Sequence, residues 1–209
     1  MIPRVIPYTP RLWANNLHTN LKRFSAIILH RRAGKTTATV NHHCRYALDD
    51  ELEAARLLHL EPRLKHGGLN ELLHPPGARH YGHVMPTRIQ NKTVTWDKLK
   101  HYMQHVGGIP NEQELLYRMP NGNKVQLFGA DNPDALRGPL FNGLSFDEYS
   151  QQPSNIFSEI IRPALADKKG YAIWIGTPRG KNEFWRLYQE AAGENWYRVL
   201  LTVEDTKIL

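Results

Sequence analysis

Phe24-Ser25-Ala26-Ile27-Ile28-Leu29, followed by His30-Arg31-Arg32-Ala33-Gly34-Lys35-Thr36-Thr37, decides the fold. The first six residues form an unbroken, mostly apolar run, the pattern of a strand buried on both faces. Beyond the loop, Val40, Cys44 and Ala47/Leu48 recur at helical spacing and predict a helix over 35–49, with Cys44 as a small core residue. A loop ending Gly-Lys-Thr between strand and helix has the form of a Walker A phosphate loop. Gly34 lets the backbone approach an anion, so that successive N–H groups point at it. The helix start adds its positive end. Lys35 is placed to reach β- and γ-phosphates, and the Thr36 hydroxyl to ligate Mg²⁺. The motif's first glycine is replaced by Leu29.

Such a loop calls for a second strand that ends in a carboxylate. Leu144-Ser145-Phe146-Asp147-Glu148 supplies one, 112 residues after the lysine (147 − 35). Asp147 would contact the metal, and Glu148 would be the general base that aligns and polarises water. Read alone, the acidic pair would cap the following helix; the two motifs together point to ATP hydrolysis.

The rest of the chain alternates short apolar runs with amphipathic ones. Strands are expected over 80–85, 143–146, 171–175 and 196–201, and helices over 88–106, 156–166 and 182–192. Pro120-Asn121-Gly122-Asn123 predicts a hairpin between 115–119 and 124–128. Residues 51–80 allow a helix over 51–60, but His66-Gly67-Gly68 and His74-Pro75-Pro76-Gly77 break it, suggesting a surface excursion. The implied fold is α/β, a P-loop NTPase of the RecA/ASCE-like kind, with a central mostly parallel sheet flanked by helices. Ligands of such sheets bind outside the carboxyl ends of the strands.

Composition sets outer bounds. The chain has 209 residues, enough for one sizeable core, and 27 Lys+Arg against 20 Asp+Glu give a net charge of +7. That excess suits a polyanionic partner and equally a mildly basic enzyme, since no run of five like charges occurs. One cysteine excludes a disulfide framework and a Cys-rich zinc site. No apolar run nears the roughly 20 residues that span a bilayer, and Met1-Ile2-Pro3-Arg4 lacks the layout of a signal peptide. The expectation is a soluble, cytoplasmic protein. His74, His80 and His83 lack a completing Cys or carboxylate, and Trp174, Trp185 and Trp196 read as packing residues.

Further segments carry a resemblance to the large terminase subunits of tailed bacteriophages. The 30–37 loop, with its early arginine, resembles that family's variant of Walker A. Val84-Met85-Pro86-Thr87-Arg88-Ile89-Gln90 with Trp96 resembles its second strand and following helix. Gly129-Ala130-Asp131-Asn132-Pro133-Asp134-Ala135-Leu136-Arg137-Gly138 resembles the stretch before its Walker B, and Ile175-Gly176-Thr177-Pro178-Arg179-Gly180-Lys181-Asn182 resembles its coupling motif. Tyr8-Thr9-Pro10-Arg11-Leu12-Trp13 occupies the place of the adenine-recognition segment, without the glutamine usual there.

The resemblance implies an ATPase motor domain over 1–202, with 203–209 starting a linker to a nuclease domain that the chain does not contain. It implies nucleotide contacts from Tyr8, Arg11 and residues 31–37 (Arg31, Arg32, Ala33, Gly34, Lys35, Thr36, Thr37). Metal contacts would come from Thr36 and Asp147, and γ-phosphate sensing from Thr177. Arg137 would be an arginine finger inserted into a neighbouring subunit's site, with Arg31, acting from within the same subunit, as the competing candidate. Implied cofactors are ATP and Mg²⁺. Implied partners are double-stranded DNA, further copies in a ring on the procapsid portal, and the small terminase subunit, with no membrane and a place in the host cytoplasm. Two rival readings stay open: a helicase-like translocase on other nucleic acid, and a nucleotide-gated binding module with little turnover.

Overall fold

In a computed structural model, the structure describes residues 6–74, 78–153 and 156–208. Met1-Ile2-Pro3-Arg4 and Pro75-Pro76-Gly77 therefore lie outside the described residues. Helix α1 (Leu12–Thr19) precedes strand β1 (Phe24–Leu29), and α2 (Lys35–Leu48) follows the phosphate loop. Next come α3 (Asp50–Leu60), the short α4 (Leu69–Leu73) and β2 (His80–Met85). The expected helix over 88–106 is three joined pieces ending three residues early: α5 (Arg88–Asn91), a π-helical turn (Lys92–Trp96) and α6 (Asp97–Met103). Its apolar face is as expected, with Trp96, Leu99 and Met103 buried.

The hairpin pairs β4 (Leu116–Arg118) with β5 (Lys124–Gly129), and an unanticipated edge strand β3 (Ile109–Asn111) adds to β4. All three residues of β3 are exposed, so no apolar alternation marked it. Strand β6 (Gly143–Asp147), helix α7 (Arg162–Ala166, entered through a π turn), strand β7 (Tyr171–Gly176), helix α8 (Glu183–Glu190), strand β8 (Trp196–Leu201) and the short α9 (Val203–Thr206) complete the chain.

The sheet order is β3-β4-β5-β2-β6-β7-β1-β8. From β5 to β8 every pairing is parallel; β3-β4-β5 is antiparallel. Parallel strands must be buried on both faces, and successive residues point to opposite sides. Ile27, Leu29, Tyr171, Ile173 and Ile175 accordingly join a core with α1, α2 and α6. Ile28, Ala172, Trp174 and Phe146 join the other, closed by Ile161, Leu165 and Phe184. Trp174 stacks on both Phe146 and Trp196, the packing role expected of it.

The expected surface excursion needs correction at its start. Leu57 is buried, and Glu53 and Arg56 form a buried ion pair at 2.8 Å, with the guanidinium over the Tyr171 ring. That pair neutralises its own charge and lets α3 pack inward. Only the stretch beyond it, through Leu73, has no buried residue in its helical segments. Residues 203–206 are helical, capped by a reciprocal Thr202–Asp205 box.

Candidate nucleotide and metal site

Sheet order builds the site. Strand β7 lies between β1 and β6, pairing Ile28 with Gly176 on one side and Asp147 with Ile175 on the other. The three strands therefore end side by side, and the loops leaving them converge. Thr177 leaves β7 between the phosphate loop and the acidic pair.

The loop itself holds a strongly bent backbone. Arg32 and Gly34 have φ of 64° and 86°, a left-handed region that costs glycine little and other residues more. Leu29 belongs to β1, fully buried and paired with Leu201, so the turn starts only at His30 and needs no glycine there. The loop is pinned from outside. Trp13 Nε1 donates to the Ala33 carbonyl at 3.0 Å, Arg11 donates to the Arg32 carbonyl at 2.8 Å, and His30 Nε2 meets Thr206 Oγ1 at 2.6 Å.

Lys35 begins α2 and is almost wholly buried. Its Nζ donates to the His30 carbonyl at 3.1 Å and to Thr177 Oγ1 at 3.0 Å, and lies 3.7 Å from Glu148 Oε1. One residue on, the Thr36 hydroxyl donates to Asp147 Oδ2. Asp147 Oδ1 accepts the Glu148 N–H at 2.9 Å. Burial pushes the Asp147 carboxyl above its usual range, against the Thr36 hydroxyl, the Lys35 charge and the Glu148 N–H, which favour the anion. Glu148 has φ of 52°, uncommon outside glycine. Its other oxygen is 3.4 Å from the Gln151 amide.

Tyr8, Thr9, Arg11 and Trp13 line a cleft with Gly34, Thr37, Ala38 and Tyr102. The N-terminal segment thus stands beside the loop that carries Gly34 and Thr37. Tyr102, on α6, carried no sequence signal beyond its helical setting; it meets Tyr8 edge-on at 6.0 Å.

The donor set suits a hard cation. A carboxylate and a hydroxyl are oxygen ligands of the type Mg²⁺ prefers, and Mg²⁺ commonly completes its shell with water and substrate phosphates. Among the described residues no trio of His, Cys, Asp or Glu could hold a metal ion by itself, so phosphates and water would be needed.

The two arginines stand apart. Arg31 is exposed within the loop, and Arg137 is exposed and paired with Asp134 at 2.9 Å. Among the described residues, no hydrogen bond or ion pair joins either side chain to Lys35, Thr36, Asp147 or Glu148.

No family model matches the chain. Large terminase subunits of Thermus phage G20c and of Thermus virus P23-45 are each 39% identical over 59 residues. That segment is 28% of this chain and only 12% of each relative's length. The large terminase ATPase domain of Thermus phage P74-26 superposes with a TM-score of 0.70 at 18% identity, covering 94% of this chain and 82% of that one. The chain has the fold of a large-terminase ATPase domain. The large terminase of another thermophilic bacteriophage agrees at a TM-score of 0.65 and 16% identity, over 96% of this chain and 48% of that one. The same phage's protein in complex with ATP-gamma-S agrees at 0.62 and 17% identity, over 90% and 41%. The terminase-like motif order read from the sequence thus coincides with a terminase-like fold. No described helix is long and apolar enough to cross a membrane.

Proposed function

We propose that this chain is the ATP-hydrolysing motor domain of a phage DNA-packaging terminase. The observation that carries the reading is the position of Lys35, held 3.0 Å from Thr177 Oγ1 and 3.7 Å from Glu148 Oε1 beside the Thr36–Asp147 contact. Three segments far apart in sequence, 35–36, 147–148 and 177, meet there, and the reading gives them the grip, the metal ligands, the base and the sensor.

In this reading the phosphates lie on the N–H groups of residues 31–37, with Lys35 along the β- and γ-phosphates. Thr36 and Asp147 hold Mg²⁺, which neutralises developing charge when bound. Glu148 orients and polarises water for in-line attack, and Thr177 exchanges its bond to Lys35 as the γ-phosphate comes and goes. Tyr8 and Arg11 border the base. Arg137, exposed and given to a neighbouring copy, or Arg31, acting from within the same copy, completes the site as a finger. Double-stranded DNA, a ring on the procapsid portal and the small terminase subunit are the partners, in the host cytoplasm. Residues 1–202 act as the motor unit, with 203–209 leading out of it towards a nuclease domain.

Phosphate release measured against protein concentration tests this, using wild type, Arg31→Ala, Arg137→Ala and mixtures of each with Glu148→Gln. The reading expects a specific rate that climbs with concentration and rescue of one arginine variant by the hydrolysis-dead partner. A concentration-independent rate without rescue would favour a self-contained translocase, and nucleotide-dependent association without phosphate release a gated binding module.

A further inference from the structure

Behind the acidic pair runs a line of buried polar side chains that the proposed chemistry does not use. Tyr171 Oη lies 2.8 Å from His43 Nδ1, His43 Nε2 lies 2.8 Å from Ser145 Oγ, and Ser145 Oγ lies 2.8 Å from His83 Nδ1. His83 Nε2 then stands 3.8 Å from Asp147 Oδ2. Tyr171, His43, Ser145, His83 and Asp147 are all fully buried.

Proton accounting gives this line a direction. A phenol has one hydrogen to donate, and among the described residues Tyr171 Oη has a single hydrogen-bond partner, His43 Nδ1. With Nδ1 accepting, the proton of the neutral His43 ring sits on Nε2 and goes to Ser145 Oγ. Burial without a carboxylate partner keeps that ring neutral. Ser145 must then donate to His83 Nδ1. Thr39 Oγ1, 3.5 Å from the same nitrogen, gives its own hydrogen to helix carbonyls. With His83 Nδ1 accepting, its ring proton is on Nε2. That atom has no hydrogen-bond partner of its own, and it faces Asp147.

We infer that Tyr171, His43 and Ser145 fix the His83 imidazole with an Nε2–H directed at Asp147, making His83 a positioning residue for the metal-binding carboxylate. The inference rests on the proposed Mg²⁺ roles of Thr36 and Asp147. Asp147 Oδ2 now accepts the Thr36 hydrogen. A lone pair of the Thr36 oxygen can go to a cation while its hydrogen stays on Asp147, and His83 Nε2–H is a second side-chain donor facing Oδ2. Such outer partners orient metal ligands, and losing one commonly costs about 10–100-fold in metal affinity.

Two measurements on the intact chain test this. The first is ring-nitrogen NMR of the nucleotide-free protein. Both His43 and His83 should show the Nε2–H tautomer, and Tyr171→Phe, which keeps the ring packing, should release both from it. An Nδ1–H tautomer at His83, or no response to Tyr171→Phe, would overturn the inference. The second is the Mg²⁺ concentration for half-maximal phosphate release. His83→Asn, which lacks the far donor, should raise it about tenfold or more with little change in KM for ATP, and His83→Gln should restore most of the loss. An unchanged Mg²⁺ requirement in a folded His83→Asn protein would also overturn it. Should wild type release no phosphate, the proposed function fails while the tautomers still decide the wiring.

Discussion

The ammonium of Lys35 lies 3.0 Å from the hydroxyl of Thr177, although 142 residues separate them in the chain. The contact follows from strand order. Lys35 comes one loop after β1, Thr177 directly follows β7, and those strands are parallel neighbours in register from Phe24 to Ile28. With β6 on the far side of β7, Glu148 reaches the same ammonium.

Replacing Thr177 by Val keeps the volume and removes the hydroxyl. A hydrogen bond to a charged group is worth about 1.5–3 kcal/mol, so turnover should drop by roughly tenfold or more. ATP affinity should move little, because the main-chain N–H groups still hold the phosphates. Steady-state phosphate release paired with calorimetric binding checks this.

Glu148→Gln preserves shape and removes the carboxylate proposed as the base. General-base catalysis contributes about 10²–10⁴ in rate, and phosphate release should fall by that factor. Calorimetry should find ATP bound about as tightly as by wild type. Turnover left unchanged would remove Glu148 from the chemistry.

Much of this site could be read from residue order alone. Gly34-Lys35-Thr36 after an apolar strand, and Asp147-Glu148 after another, are local patterns whose spacing carries their meaning. Tyr102 and the His43–Ser145–His83 line could not be read that way. They depend on α2 and α6 lying across the sheet and on which strands are neighbours, which periodicity does not reveal. The π turn over Lys92–Trp96 escaped for a related reason, since the helical apolar pattern continues through it. Glu53 and Arg56 look like a solvated i,i+3 pair in sequence; only the packing of α3 buries them.

Gly82 shows how tight the sheet is around β2. A Cβ there would stand 2.5 Å from Leu144 Cδ2 and 3.2–3.3 Å from Phe128 and Phe141. Overpacking of this kind costs about 1–3 kcal/mol. Gly82→Ala should lower the melting temperature by several degrees in a calorimetric scan, at roughly 2–4 °C per kcal/mol for a chain of this size.

Acid should weaken the fold through buried histidines. Burial holds His80 down to about 3 and His18 to about 4, against an ordinary value of 6.5. Between those values and 6.5 the unfolded chain binds protons that the folded chain refuses, so stability rises with pH across that window and levels off above it. His80 contributes at most about 1.4 kcal/mol per pH unit to the slope. Urea unfolding of wild type from pH 7 to pH 5 should show the decline, and His80→Phe should show a shallower one.

Every role proposed for these residues requires a triphosphate gripped between the Gly34–Thr36 turn and the Asp147–Glu148 pair. Calorimetric titration of ATP with Mg²⁺ into Glu148→Gln, with and without Lys35→Ala, decides whether that grip exists. Saturable one-to-one binding to the single variant is expected, with an affinity at least ~100-fold weaker in the double variant, a loss of about 2.7 kcal/mol. Equal affinity in the two proteins would contradict it.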